Sequence, residues 1–233
     1  VSYLLCIETS GPICSVCLSE EGGKVIAERS AEAKNLHSSV LHVYILDMFR
    51  SAEIQMNLLS AVAYSSGPGS YTGLRIGLSA AKGIAVALDI PLIEVSTLKS
   101  LAMAMRNEKR AKNGQIVAMI DAGRLEAYCQ TFNSDMSPQN EAEAVILNLG
   151  YFNELRKDET VYIGGSGAEK CRTIIEENSL GINILADIRP NAKYLAVLAW
   201  PKFRENTYAN VAYAVPNYLK SYKPQKKRRK VQN

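Results

Sequence analysis

Apolar positions along the first hundred residues switch between a short period and a long one. Residues 3–7 (YLLCI) and 13–18 (ICSVCL) are β-rich runs, and the glycine turn in EEGGK at 20–24 separates the second from a third run at 25–27. This pattern predicts three antiparallel strands. From 35 to 49, NLHSSVLHVYILDMF places apolar residues at 36, 40, 41, 43, 44, 45, 46, 48 and 49. A helix over that stretch is apolar on more than half its circumference. One face covers a sheet, and the rest calls for a second burial partner.

A strand at 61–65 leads into the loop SSGPGSYTG (65–73) and a helix over 72–88. Gly73, Gly77 and Ala81 recur every four residues along that helix. Each glycine costs about 1 kcal/mol against alanine, so the stripe predicts the close approach of another backbone. A strand at 92–95 and a helix at 97–106 follow, and the polar EKRAKNG (108–114) marks a boundary.

The second half repeats the first in outline. Residues 116–132 read as strand, turn and strand, with Asp121 standing where Glu8 stood. A helix near 141–154, a strand at 160–163, the turn GGSG (164–167), a helix to about 177 and another from 191, stopped by Pro201, complete the repeat. The segment 211–219 is an apolar close whose Pro216 argues against a central strand. A βββαβα unit that occurs twice predicts a duplicated α/β fold with a cleft between lobes, at 1–106 and 107–219, followed by a tail at 220–233.

Composition sharpens this reading in one place. The 233 residues are 47% hydrophobic and 21% charged, which excludes a wholly disordered or fibrous chain. The formal charge of +4 comes from 27 Lys and Arg against 23 Asp and Glu. Seven of those bases lie between Lys220 and Lys230 with no acid among them, so residues 1–219 carry −3. The body is slightly acidic and the tail is a cationic arm. The arm reads either as a solubilising end or as an electrostatic contact for RNA phosphates. Lacking a signal-like start and any apolar run of 18 residues, the sequence leads us to expect a cytoplasmic protein without membrane contact.

Candidate chemistry is sparse. Two glycines around Pro68, hydroxyls at Ser70 and Thr72 and a helix start describe a place for an anion, without the Lys-Ser/Thr ending of a phosphate-binding P-loop. A capping role for Ser70 or Thr72 explains the same residues. Thr9 and Ser10 open a tight turn of the kind that clasps phosphate in two-lobed folds, and Gly165 and Gly167 sit in a strand–turn–helix junction. Together Thr9, Ser10, Gly67, Gly69, Ser70, Thr72, Gly165 and Gly167 form the candidate nucleotide set. No catalytic or metal-ligating residue is assigned. His37 and His42, the only histidines, are five apart and so roughly 140° around a helix, too divergent to share one ion. Cys14 and Cys17 form a CxxC whose side chains a strand sends to opposite faces.

The stretches CIETSGPICSVCL (6–18), LHSSVLHVYILDMF (36–49), AYSSGPGSYTGLRIGLSAAKGIA (63–85), PLIEVSTLKSLA (91–102), IDAGRLEAY (120–128) and VPNYL (215–219) resemble the TsaB (YeaZ) family over nearly the whole body. The resemblance implies an actin-like, Hsp70-like (ASKHA) ATPase fold. It also implies a noncatalytic partner of TsaD, which transfers a threonylcarbamoyl group to adenosine 37 of tRNAs reading ANN codons. Where TsaD carries a metal-binding His-x-x-x-His, this chain has Ser96-Thr97-Leu98-Lys99-Ser100. Pairing is implied through the helices at about 35–49 and 72–88, so that the apolar helix and the glycine stripe become a shared interface. The resemblance implies that a TsaE-like ATPase joins the pair, and a self-complementary apolar patch leads us to expect a homodimer on the same surface when the chain is alone. The resemblance implies no intrinsic cofactor, with any ATP or ADP bound weakly or completed by partners. The family does not require so basic a tail; from its charge we expect an indirect meeting with tRNA aided by Lys226, Lys227, Arg228, Arg229 and Lys230. The alternatives are an independent ATP hydrolase of the actin-like superfamily and an M22-type metallopeptidase.

Overall fold

In the computed structural model, residues 1–32, 36–107, 111, 113–155 and 159–220 are described, and they build two five-stranded mixed sheets. The first begins as an antiparallel meander of β1 (Tyr3–Glu8), β2 (Ile13–Glu20) and β3 (Lys24–Glu32). Helix α1 (His37–Ala52) returns the chain to β4 (Leu59–Gly67), parallel to β1, and α2 (Tyr71–Leu88) returns it to β5 (Leu92–Ser96), parallel to β4. β1 and β4 are buried on both faces and accordingly lack period-two alternation. β3 lies at the edge and alternates.

After α3 (Thr97–Asn107) the second sheet repeats the scheme with β6 (Gln115–Asp121), β7 (Glu126–Phe132) and β8 (Glu143–Ile146). α4 (Leu149–Glu154), β9 (Val161–Gly164), α5 (Arg172–Glu177), β10 (Asn183–Leu185) and α6 (Ala192–Arg204) follow. The orders β3-β2-β1-β4-β5 and β8-β7-β6-β9-β10 coincide strand for strand, which is the duplication read from the sequence.

Packing exchanges one helix between the halves. α3 lays Leu98, Leu101 and Met105 on Ile116, Ala118 and Phe132 of the second sheet. α6 lays Leu195, Ala199 and Trp200 on Leu4, Cys6 and Ile93 of the first. Hydroxyls of β2 fix α6 there: Ala192 N–H donates to Ser15 Oγ at 3.1 Å and Trp200 Nε1–H to Ser19 Oγ at 3.1 Å. Cys14 and Cys17 do point to opposite faces, one into the core beneath α1 and α2, the other toward α6.

Three expectations change. The stretch 141–154 is not one helix. Residues 143–146 pair with β7 as an edge strand, and only from Leu149, capped by the Asn148 side chain on Tyr151 N–H at 3.0 Å, does a helix start. Short apolar runs do not distinguish the two periods, and here strand pairing decides. Pro201 does not stop α6. It removes a single intrahelical donor near the helix end, and Glu205 N–H still reaches Pro201 O at 3.0 Å.

The third change concerns the glycine stripe. A Cβ on Gly73 would lie 2.1 Å from Thr9 O, and one on Gly77 would lie 2.2 Å from Thr9 Oγ1. Another backbone does approach closely, but it is this chain's own: α2 rests on the end of β1, where the Thr9 hydroxyl donates to Gly73 O at 2.8 Å. Ala81 is fully buried in the same core. The stripe therefore serves internal packing and is not available to a partner.

Candidate functional site

The two halves enclose a cleft of about 580 Å³. One wall is the turn after β1 and the start of α2, with Ser10, Ser70, Thr72 and Gly73. The other is the turn after β6 with Asp121 and Gly123, together with Ser166 and Arg189. The two turns are built alike. Glu8 Oε1 accepts from Ser10 N–H at 2.6 Å, and Asp121 Oδ1 accepts from Gly123 N–H at 2.6 Å. Ser65 Oγ accepts from Thr9 N–H at 3.4 Å, and Ser166 Oγ from Asp121 N–H at 3.0 Å. In each half, a hydroxyl from the neighbouring parallel segment steadies the turn. Asp121 also pairs with Lys170.

Of the candidate nucleotide residues, Ser10, Ser70 and Thr72 line this cleft, while Thr9, Gly67, Gly69, Gly165 and Gly167 do not. Gly69 lies against Ser10 O and Gly165 against Met119 O, so these glycines shape the turns from behind. Four backbone donors around the cleft are used within the chain. Ser10 N–H goes to Glu8 and Ser70 N–H to Ser10 O at 2.7 Å. Gly73 N–H goes to the capping Ser70 Oγ at 3.2 Å, and Gly167 N–H to Met119 O at 3.0 Å. Sequence reading weighed His37 only as a metal ligand and missed Ser166 and Arg189. His37 falls on the covered side of α1, and Ser166 supplies the side chain of GGSG that faces the cleft.

Glu8 is fully buried, and its Oε2 makes no hydrogen bond. Burial raises its carboxyl above the ordinary value near 4.5, and the Ser10 and Ser65 hydroxyls counter this only in part. A raised folded value means that the folded chain keeps a proton the unfolded chain has released. The resulting stability is whole below the unfolded pKa and is lost as pH rises through the folded one. Glu8→Gln keeps the acceptor for Ser10 N–H and removes the titration. Its urea midpoint should therefore exceed that of the parent chain at about pH 8 and converge with it near pH 4. Parallel pH profiles for the two proteins would contradict this.

A second surface lies on the outer side of α1 and α2. α1 buries Leu41, Ile45, Met48 and Phe49 and leaves Leu36, Val43 and Leu46 each about half exposed. A shallow groove separates the two helices, lined by Ser38 and His42 of α1 and by Arg75, Ser79, Gly83 and Ile84 of α2. A Cβ on Gly83 would meet nothing within 4 Å, so no packing inside the chain asks for that glycine.

Arg75 stands one turn into α2, at the edge of this groove. In the structure its guanidinium stacks on the Tyr71 ring at 4.1 Å, and its Nε–H donates to Tyr218 OH at 3.0 Å. Tyr218 belongs to a closing segment that forms no strand and runs as a strap beside α2. The strap is held by Ala209 N–H on Leu92 O at 2.8 Å, Lys82 Nζ on Ala212 O at 3.3 Å and Asn217 N–H on Ser66 O at 2.7 Å. It carries Tyr213 and Val215 strongly exposed. Lys226, Lys227, Arg228, Arg229 and Lys230 lie outside the described residues.

Among the described residues, no group of three or more His, Cys, Asp and Glu side chains is arranged to hold a metal, and no helix is long and apolar enough to cross a membrane. All five cysteines are buried and free. Burial pushes the Cys14 thiol up to about 11 and those of Cys129 and Cys171 up to about 12.

The family model described as TsaD, tRNA N6-adenosine threonylcarbamoyltransferase, matches residues 24–225. The tRNA threonylcarbamoyladenosine biosynthesis protein TsaB of Bacillus subtilis is 30% identical over 93% of this chain and 93% of its own. The solved structure of YeaZ from Pseudomonas aeruginosa has a TM-score of 0.78 at 25% identity, over 94% of this chain and 100% of that one. Component A of the Acidaminococcus fermentans (R)-2-hydroxyglutaryl-CoA dehydratase shares the fold alone, with a TM-score of 0.52 at 10% identity over 88% and 100% of the two chains. The fold is the two-lobed, actin-like α/β architecture expected from the sequence.

Proposed function

Because this chain belongs to the TsaB (YeaZ) family, we propose that it serves tRNA threonylcarbamoyladenosine biosynthesis as a noncatalytic subunit that pairs with a TsaD-like transferase across α1 and α2. The observation that carries the reading is the outer face of those helices. Leu36, Val43 and Leu46 stand exposed at α1, and the groove between α1 and α2 is lined by Gly83, an exposed mid-helix glycine with no internal use. Such a glycine costs the free chain about 1 kcal/mol, an expense that makes sense where a partner helix approaches closely. A second copy of this chain is the competing occupant, since an apolar patch can close on itself by two-fold symmetry.

The lack of catalytic function is supported by chemistry. The stretch Ser96–Ser100 offers hydroxyls and a lysine where the resemblance sets two metal-binding histidines. Thr97 and Ser100 are fully buried there without hydrogen-bond partners. Cys14, Cys129 and Cys171 stay protonated at neutral pH and do not act as nucleophiles. Any adenine nucleotide in the assembled complex is held weakly or with partner residues, a reading supported by the internal use of the Ser10, Ser70, Gly73 and Gly167 N–H groups. A TsaE-like ATPase docks on the assembled pair.

Gly83→Trp tests the face directly. Calorimetric titration of this chain with the transferase should show at least a tenfold loss of affinity for the variant, while its circular dichroism spectrum and urea midpoint stay close to the parent's. Unchanged affinity would remove α2 from the interface. Loss of self-association with full transferase binding would assign the face to the homodimer.

A further inference from the structure

We infer that the cleft between the two halves is a binding site for a small organic carboxylate, whose charged end is met by Arg189 and His37 and whose body lies against apolar side chains. The inference goes beyond the pairing reading above and does not depend on it. At about 580 Å³ the cleft has the size of a small-molecule site, for which about 300–1,000 Å³ is usual. Its walls are mixed as such sites are. Pro12, Ile76, Ile120 and Pro190 supply apolar surface, and a few polar groups stand among them.

Two of those polar groups have bonding capacity to spare. His37 lines the cleft and is only 7% exposed, yet its Nε2 makes no hydrogen bond. A buried ring nitrogen without a partner is costly to the free chain, and a ligand oxygen in the cleft would satisfy it. Arg189 is half-buried on the opposite wall. Its Nη1 donates to Ile188 O at 3.0 Å, and its guanidinium pairs with no acid among the described residues. The segment that carries it is held in place. Asn191 Nδ2–H donates to Ser30 Oγ at 3.3 Å and Ala192 N–H to Ser15 Oγ at 3.1 Å, which ties the start of α6 to the first half. Asp121, the acid on the cleft wall, already pairs with Lys170 and asks for no cation from a ligand. The start of α1 adds to the positive side. His37 and Ser38 are its first two residues, no side chain caps it, and no acid stands in its first turn. One guanidinium, one imidazole and a helix start suit the single negative charge of a carboxylate better than the several charges of a nucleoside triphosphate.

The test titrates the full chain by calorimetry with phenylacetate, 4-methylpentanoate and N-acetyl-L-leucine, each beside its uncharged amide. At least one carboxylate should bind one to one, and its amide at least about tenfold more weakly. Arg189→Gln and His37→Asn should each lower the affinity for that carboxylate at least about tenfold, while circular dichroism and the urea midpoint report whether each variant is folded. Arg189→Gln leaves the α6 contacts with Ser15 and Ser30 intact, so it decides the matter if His37→Asn, at a buried position, does not fold. Failure of all three carboxylates to bind would overturn the proposal, as would amides binding as tightly as their acids or an affinity unchanged by Arg189→Gln. ATP binding at least as tightly as the carboxylate, and losing affinity in the same variants, would also overturn it and give the cleft to a nucleotide. No transferase is present in these titrations, so their outcome is separate from failure of the α1–α2 pairing face.

Discussion

Replacing Val43 and Leu46 together by aspartate is expected to weaken pairing with the TsaD-like transferase by at least about a hundredfold, with urea stability within about 1 kcal/mol of the parent. Both side chains are about half exposed in the free chain, so little native packing is lost there. In the pair, two carboxylates would be taken from water into an apolar contact with no cation provided for either, a penalty of several kcal/mol. The buried side of α1, with Leu41, Ile45, Met48 and Phe49, is untouched and keeps the helix on its sheet. Side-by-side calorimetric titrations of parent and variant check this. An affinity within threefold of the parent's would show that the exposed stripe of α1 lies outside the interface.

Gly73→Ala should cost about 3 kcal/mol or more of folding stability, while Gly83→Ala on the same helix should add about 0.5–1 kcal/mol. The added methyl at Gly73 would sit 2.1 Å from a backbone oxygen, Thr9 O, that cannot move without disturbing the end of β1. The same step also strains the bond from the Thr9 hydroxyl to Gly73 O. At Gly83 nothing lies within 4 Å, so alanine only relieves the conformational cost of a helical glycine. Urea unfolding of the two variants reads the sign directly. A Gly73→Ala midpoint equal to the parent's would mean that α2 does not rest on Thr9 as described.

These paired glycines show how far the sequence could be read. A four-residue stripe of small side chains signals a close backbone, and Gly73 and Gly77 do meet one. Spacing along one helix cannot say whose backbone it is, and here it is the chain's own turn at Thr9. Gly83, off the stripe, gave no signal because an isolated helical glycine has no periodicity. The duplication was legible because both halves repeat the same alternation of strands and helices. The exchange of α3 and α6 was not, since amphipathic periodicity reports that a helix has a buried face and not which sheet it covers. The excess apolar surface of α1 was plain from residues 36–49, and Leu36, Val43 and Leu46 are where it emerges.

The cleft was less legible. Ser10, Ser70 and Thr72 reach it, yet the glycines around them serve the turns, and four nearby donors go to Glu8, Ser10 O, Ser70 and Met119. Gly-rich composition marks a tight turn, but whether its N–H groups face outward depends on neighbours distant in sequence. The strap over 207–220 was read only as an apolar close with Pro216. Its role beside α2 arises from Arg75 and Tyr71 receiving Tyr218, a contact 143 residues long in sequence.

The central claim is that this chain does no chemistry and acts by pairing. Reconstituted tRNA threonylcarbamoylation tests it most directly, with the transferase, the pathway's other components and either the parent chain or the Val43→Asp, Leu46→Asp variant. The account predicts modified tRNA with transferase plus parent chain, none with the chain in place of the transferase, and at least a tenfold lower rate with the variant at matched concentrations. Product formed by the chain without the transferase, or an undiminished rate with the variant, would contradict it.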